Sequence, residues 1–241
     1  MTDLPHLSLY RRATAAALVL GSGLFLVGNL LHPKEFGGDN EEGSQLAEIA
    51  EHYGRWQAAH ALVFVAIILF TAGVLGLAFL LRRRAPGLGL VGGALAVLGL
   101  LGFAGVVALD GFAWGIVGEV SGAPRTDAYT AQLTLHDLQH SQWALPFYCL
   151  GLAFIAGLVT LGIGAVRTEA VPAWVVGLLA LGSLLVGLEA VIQSNVYFVI
   201  AAVLVFAGTA ATGASIAAMS DEEFAAGGPP GAAARRASRD A

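Results

Sequence analysis

Two histidines separated by one helical turn are the residues in this sequence best placed to do chemistry. His136 and His140 lie four residues apart in a stretch that predicts a helix. That spacing puts both imidazoles on one helix face, where they can share a metal ion. Asp137, Leu138 and Gln139 fill the gap, so the pair lacks the glutamate of the H-E-x-x-H metalloprotease motif. The spacing therefore predicts metal binding without that protease chemistry.

Further candidate ligands flank other apolar stretches at a similar predicted depth. His32 closes the first apolar stretch and His60 opens the second, while Asp110 and Glu189 lie near the ends of the third and fifth. Three or four neutral imidazoles with one carboxylate form a ligand shell suited to zinc, copper or iron. We therefore predict a metal site in which His32, His60 and a carboxylate, Asp110 or Glu189, join the pair His136 and His140.

The same histidines leave two alternatives open. A b-type haem needs two imidazoles on different helices, and His60 with His140, or His32 with His136, could supply them. Alternatively, the histidines lie at the headgroup boundary of a membrane, as Trp and Tyr do, and hold no ligand.

Asp110 and Glu189 are also candidate catalytic residues, as an acid and a base. A protonated carboxyl facing aromatic walls suits an acid-initiated cyclisation, because aromatic rings stabilise a cation. A carboxylate within an apolar span is costly, so we expect Glu189 to face the interior of the bundle.

The aromatic residues at the same predicted depth are Phe112, Trp114, Trp143, Phe147, Tyr148 and Tyr197. They predict either a pocket for a small hydrophobic ligand, such as an isoprenoid or lipid tail, or an interfacial aromatic belt.

The composition indicates that all these residues lie in a membrane protein. Of 241 residues, 57% are hydrophobic and only 12% are charged, about half the charged share of a soluble domain. The mean hydropathy is +0.76. These values exclude a disordered chain, a nucleic-acid binder and an ordinary soluble enzyme. The single cysteine, Cys149, excludes a disulfide framework and a cysteine-cluster metal site.

Six apolar stretches are long enough to cross a bilayer as helices, which takes roughly 20 residues each. They run over 13–31, 61–81, 88–109, 144–166, 171–192 and 196–218. The sequence thus predicts an all-α bundle of six transmembrane helices over 13–218, after a short N-terminus over 1–12. Loops 32–60 and 110–143 are expected to be ordered, and the tail over 219–241 to be disordered.

Basic residues predict the orientation of this bundle. With both termini in the cytoplasm, nine arginines lie inside, and Lys34, Arg55 and Arg125 lie outside. Such a bias is the positive-inside pattern, and the run Arg82, Arg83 and Arg84 in a tight loop is its sharpest part. The candidate histidines and carboxylates then lie at the outer surface.

Several short motifs follow one another in a distinctive order. They are Arg55-Trp56-Gln57-Ala58-Ala59-His60, Leu81-Arg82-Arg83-Arg84, Leu135-His136, Cys149-Leu150-Gly151-Leu152 and Pro172-Ala173-Trp174-Val175-Val176-Gly177. Their order resembles that in a broad family of six-helix bacterial membrane proteins of unknown function. The resemblance covers most of 11–218 and implies a fold and a topology; it implies no activity. The Ala-, Gly-, Leu- and Arg-rich composition favours a prokaryotic origin and the cytoplasmic membrane.

Three functions remain open at this stage. The first is a membrane protein that binds or senses through an outward-facing His/carboxylate site for a transition metal or haem. The second is an enzyme acting on a lipid or isoprenoid in the outer leaflet, with Asp110 and Glu189 as acid and base. The third is a structural subunit of a membrane complex. Whether the chain is an enzyme stays undecided, and so does its oligomeric state.

Overall fold

Helices make up the fold throughout the part of the chain that the structure describes. The computed structural model describes residues 6–33, 49, 51–114, 145–192 and 195–230, and within these ranges there is no strand. The described ranges contain seven α-helices: α1 (Leu7–Leu31), α2 (Tyr53–Leu81), α3 (Pro86–Ala108), α4 (Leu145–Arg167), α5 (Ala173–Ile192), α6 (Asn195–Ala218) and α7 (Asp221–Ala226). A π-helix over Leu109–Trp114 continues α3.

Five of these helices are long and apolar enough to cross a membrane. The five candidate spans are Leu7–Leu31, Tyr53–Leu81, Pro86–Gly111, Cys149–Arg167 and Val196–Ala218, and they fit a multi-pass membrane protein. In α5 the apolar stretch described with its side chains is Ala173–Val186, which is shorter than a span needs. The count of six spans therefore stays a prediction, as does the cytoplasmic location of the termini.

The six long helices form a ring in chain order. Each packs against the next along the chain, and α6 packs back against α1. Phenylalanines fill the centre: Phe25 of α1 lies 6.0–6.2 Å, between ring centroids, from Phe70, Phe103 and Phe198, and Phe70 lies 6.1 Å from Phe154. Edge-on aromatic pairs at these distances pack favourably. The aromatic cluster closes the middle of the ring.

Glycines allow the closest helix contacts. A Cβ atom added to Gly99 of α3 would overlap the backbone of Phe154 on α4, and one added to Gly157 of α4 would overlap that of Ala96 on α3. Small residues at a helix interface let the backbones approach in this way, and membrane proteins use them for packing. The position of α4 therefore depends on glycine in both helices.

The two ends of the ring differ in chemistry. One end, here the histidine end, holds the C-terminus of α1, the N-terminus of α2 and the π-helix after α3. The opposite end, here the arginine end, carries Arg11, Arg12, Arg82, Arg83, Arg84 and Arg167. At the arginine end Arg82 stacks over the Phe79 ring at 3.5 Å; burial, and then the charge of Arg83, lowers the pKa of Arg82, but an arginine stays charged at neutral pH.

The C-terminal segment differs from the sequence prediction. We expected disorder over 219–241, whereas α7 begins at Ser220 with a capping box, in which the Ser220 hydroxyl accepts from the Glu223 amide and the Glu223 carboxylate accepts from the Ser220 amide. Phe224 is completely buried, and Asp221 pairs with Arg11 at 2.9 Å. An apolar anchor and a capped first turn thus hold this segment against the arginine end. The remainder, 231–241, lies outside the described residues.

Candidate metal centre

His60, at the histidine end of the ring, has a polar contact at each of its two ring nitrogens. It lies in the second turn of α2, and its side chain is only 12% exposed. Its Nδ1 lies 2.9 Å from the carbonyl oxygen of Trp56, one turn earlier. A carbonyl oxygen can only accept, so Nδ1 carries the hydrogen. In a neutral ring the Nε2 atom then has the lone pair, and a histidine binds a metal in that form.

The Nε2 atom of His60 faces a carboxylate from another helix. Asp110 Oδ2 lies 3.1 Å away, too close for a lone pair and an ionised oxygen to meet without a positive charge between them. Either a proton or a metal ion therefore has to bridge His60 and Asp110. Asp110 lies in the π-helix that follows α3, and such wide turns occur frequently at functional sites.

His32 completes the group from the end of α1. Its Nε2 lies 3.9 Å from Asp110 Oδ2, and its side chain is 14% exposed. It occupies the C-cap position of α1, where the partial negative charge of a helix end favours a bound cation. The preceding carbonyl, of Leu31, accepts a hydrogen bond from Arg55 Nε at 2.6 Å. This bond ties the end of α1 to the start of α2, and so fixes His32 relative to His60.

The distances in this His32–His60–Asp110 triad suit a small transition-metal ion. Each residue offers one ligand atom, and the three atoms lie within 4.8 Å of one another. Ligands about 2.0–2.2 Å from a tetrahedral zinc lie about 3.3–3.6 Å apart, and the two separations from Asp110 Oδ2, 3.1 and 3.9 Å, bracket that spacing. Small rotations would bring the ligand atoms onto an ion. Two imidazoles and one carboxylate also leave a coordination position for water or a substrate.

Trp56 and Gly111 support the triad, and the sequence pattern did not identify either as a site residue. Trp56 is fully buried, its indole ring lies 4.6 Å from His32 and 4.3 Å from His60 between centroids, and its Nε1 donates to the carbonyl of Gly111 at 3.2 Å. One side chain thus contacts both imidazoles and the segment that carries Asp110. The available signal was the spacing of Trp56 and His60, which puts the two on one face of α2.

The structure brings together three of the residues that the sequence singled out, and describes the others only in part. His32, His60 and Asp110 converge. His136 and His140 lie outside the described residues, so the sharing of a metal by that pair stays a prediction. Glu189 lies on α5, but its side chain also lies outside what the structure describes. In the aromatic set, Phe147 and Tyr197 are about two-fifths exposed.

The geometry of His32 and His60 does not suit a haem between them. Their ring centroids lie 5.0 Å apart, and the planes are tilted by 57°. Axial imidazoles of one haem iron face each other across the macrocycle, whereas His32 and His60 are neighbours directed at one carboxylate. The haem pairs expected from the sequence, His60 with His140 and His32 with His136, each include a residue outside the described ranges and stay predictions.

Comparison of the chain with protein-family models, with curated proteins and with solved structures gave no match. The triad therefore has to be interpreted from its own geometry. Its three side chains could hold a metal ion, and they lie at one end of a ring of apolar helices.

Proposed function

We propose that this chain is a multi-pass membrane protein that binds a divalent transition-metal ion at His32, His60 and Asp110. The observation that carries the proposal is the orientation of His60: its Nδ1 lies against the Trp56 carbonyl, and its Nε2 faces a carboxylate oxygen at 3.1 Å. A hydrogen bond from the second ring nitrogen to a backbone carbonyl is the usual support of a metal-bound histidine.

We further propose that the site faces the outer side of a cytoplasmic membrane, with both termini in the cytoplasm. The support is the separation of charge between the two ends: of the seven arginines in the described ranges, six lie at the arginine end, and the histidine end carries Arg55. In this orientation the protein binds or senses metal from outside the cell, and the phenylalanine cluster closes the centre of the ring beneath the site.

A zinc titration of the purified full-length chain tests the proposal. We expect one zinc ion per chain by calorimetry and by metal analysis. His60→Ala and Asp110→Asn each remove a ligand atom, so each should weaken zinc binding by more than the roughly 10- to 100-fold that loss of a supporting partner costs. His52→Ala is the matched control, because His52 is an exposed histidine at the N-cap of the same helix and is not one of the triad.

A bridging proton is the alternative that this experiment separates from a metal ion. With a proton, His60 and Asp110 form a charge-assisted hydrogen bond that joins α2 to the end of α3, which is the role expected of a structural subunit. Asp110→Asn would then lower the melting temperature, while zinc would bind equally, or not at all, to the wild-type chain and to both variants. That result would reject the metal site.

A further inference from the structure

A groove at the arginine end is lined by two arginines and by mostly apolar residues. It lies between the start of α3 and the end of α4, has a volume of about 460 Å³ and is lined by Arg84, Ala85, Pro86, Gly87, Leu88, Val91, Thr160 and Arg167. This volume is in the range of small-molecule sites. The two charged residues that line it are both arginines, and no acidic residue is among the described residues of its wall.

The positive charge is concentrated at the mouth of the groove. Arg84 is held by its Nη1 atom, which donates to the carbonyl of Pro229 at 2.6 Å and lies 3.5 Å from that of Thr168. An arginine carries further donors on Nε and Nη2. Arg167 is exposed in the last turn of α4. The guanidinium of Arg84 is therefore oriented by the chain, and Arg167 lines the same groove from α4.

The N-terminus of α3 adds to this charge. No side chain caps the helix, and Pro86, in its first turn, has no amide hydrogen. The amides of Gly87 and Leu88 are two of the donors that a helix start leaves without a partner in the helix itself, and a Cβ atom at Gly87 would meet nothing within 4 Å. A helix start with open space before it favours an anion.

Below its mouth the groove is apolar. Val91 lies five residues after Pro86, the first residue of α3, and Thr160 lies seven residues before Arg167, the last residue of α4, so they are about 8 Å and about 10 Å deeper along their helices. The Thr160 hydroxyl is bonded to the Ala156 carbonyl of its own helix at 2.7 Å. The adjoining face of α3 is exposed, with Leu90 75% and Val91 53% accessible, as expected of a surface that contacts lipid tails.

We propose that this groove binds the headgroup and upper acyl chain of one anionic phospholipid. A phosphate between Arg84 and Arg167 would also meet the start of α3, and the chain below it would follow the apolar wall into the membrane. Basic pockets between membrane helices bind lipid phosphates in this way. The apolar extension is what distinguishes a phospholipid from free phosphate. The proposal is independent of the metal centre, which lies at the opposite end of the ring.

Native mass spectrometry of the detergent-purified full-length chain tests the assignment, with phosphatidylglycerol and phosphatidylcholine as the two probe lipids. We expect one retained phosphatidylglycerol and little phosphatidylcholine. Arg167→Gln should weaken phosphatidylglycerol binding about fivefold. Arg83→Gln should leave it unchanged, because Arg83 is equally charged and exposed, in the same loop as Arg84, but does not line the groove.

Three results would overturn the proposal. One is equal retention of the two lipids, which would indicate a groove filled by any acyl chain. Another is an equal loss of phosphatidylglycerol in both arginine variants, which would indicate general charge attraction at this end. The third is an increase in melting temperature with millimolar inorganic phosphate as large as that with phosphatidylglycerol, which would indicate a phosphate site. Arg167 is exposed, so its substitution leaves the folded chain available for all three measurements.

Discussion

Gly111 packs against the imidazole of His60. A Cβ atom on Gly111 would lie 2.8 Å from Cδ2 and 2.9 Å from Cγ of that ring, closer than real Cβ contacts come. The carbonyl of the same glycine accepts the indole hydrogen bond of Trp56. Gly111, the residue after Asp110, therefore determines how closely the π-helix approaches α2 and where the His60 ring can lie.

Gly111→Ala should displace the His60 ring and weaken zinc binding. The added methyl group cannot fit without moving the imidazole or the π-helix, and either movement separates Nε2 from Asp110. We expect at least a tenfold loss of zinc affinity, in line with the loss of a supporting contact, and a destabilisation of about 1–3 kcal/mol from overpacking. Calorimetry and thermal melts measure the two effects.

Gly54→Ala is the control for that substitution. Gly54 is exposed in the first turn of α2, at the same end of the ring, and a Cβ atom there meets nothing within 4 Å. Alanine favours a helix over glycine by about 1 kcal/mol, so this variant should be as stable as the wild type or slightly more so, with unchanged zinc affinity. Equal zinc affinity in the Gly54 and Gly111 variants would show that the His60 position is not tied to metal binding.

Copper binding at the triad should quench the fluorescence of Trp56. Its ring lies 4.3 Å from that of His60, so a paramagnetic Cu²⁺ ion on Nε2 would lie within contact range of the indole. Titration with Cu²⁺ should quench part of the emission, saturating at one ion per chain, and Trp56→Phe should abolish that part. Trp174→Phe is the matched control, because Trp174 lies in the first turn of α5, at the arginine end. Quenching that survives in Trp56→Phe would indicate that copper binds elsewhere.

The positions of the long helices were predictable because an apolar run of about 20 residues has few other structures open to it. The C-terminal ends of α1, α2 and α6, at Leu31, Leu81 and Ala218, coincide with the predicted ends of their apolar stretches. The N-terminal ends of α1 and α2 lie six and eight residues earlier than predicted, at Leu7 and Tyr53. Polar residues can continue a helix beyond the bilayer, and a hydropathy pattern does not register that extension.

The sequence could indicate the ligand residues of the candidate site, but not their arrangement. His32, His60 and Asp110 stand out because polar groups are rare near apolar spans, but their grouping depends on contacts between helices that no spacing along the chain encodes. Trp56 was overlooked because a tryptophan near a span is as typical of the membrane interface as of a site. The helix α7 could have been predicted: Ser220 and Glu223 have the spacing of a capping box, and the glycines and prolines after them masked that signal.

Labelling of two engineered cysteines tests the orientation. In a Cys149→Ser background, Gly54→Cys and Gly87→Cys put single thiols at the histidine and arginine ends, and both positions are exposed with open space around the Cβ atom. The positive-inside pattern predicts that a membrane-impermeant maleimide reacts with the first in intact cells and with the second only after lysis. The reverse pattern would put the metal site on the cytoplasmic side.

Phe224→Ala should loosen the C-terminal segment from the ring. The side chain is completely buried, its ring lies 6.0 Å from that of Phe79, and truncation of a buried phenylalanine costs about 3–5 kcal/mol. The substitution can release α7 without unfolding the other helices, because α7 has only six residues and Phe224 is its one buried residue. We therefore expect a protease to cut within 221–230 much faster in Phe224→Ala than in the wild type, while the remainder of the chain stays intact.

Glu222→Ala is the control. Glu222 is an exposed neighbour in the same helix, so this variant should be cut at nearly the wild-type rate. Equal cleavage of all three proteins would mean that the capping box and the Arg11–Asp221 pair hold α7 without the aromatic anchor.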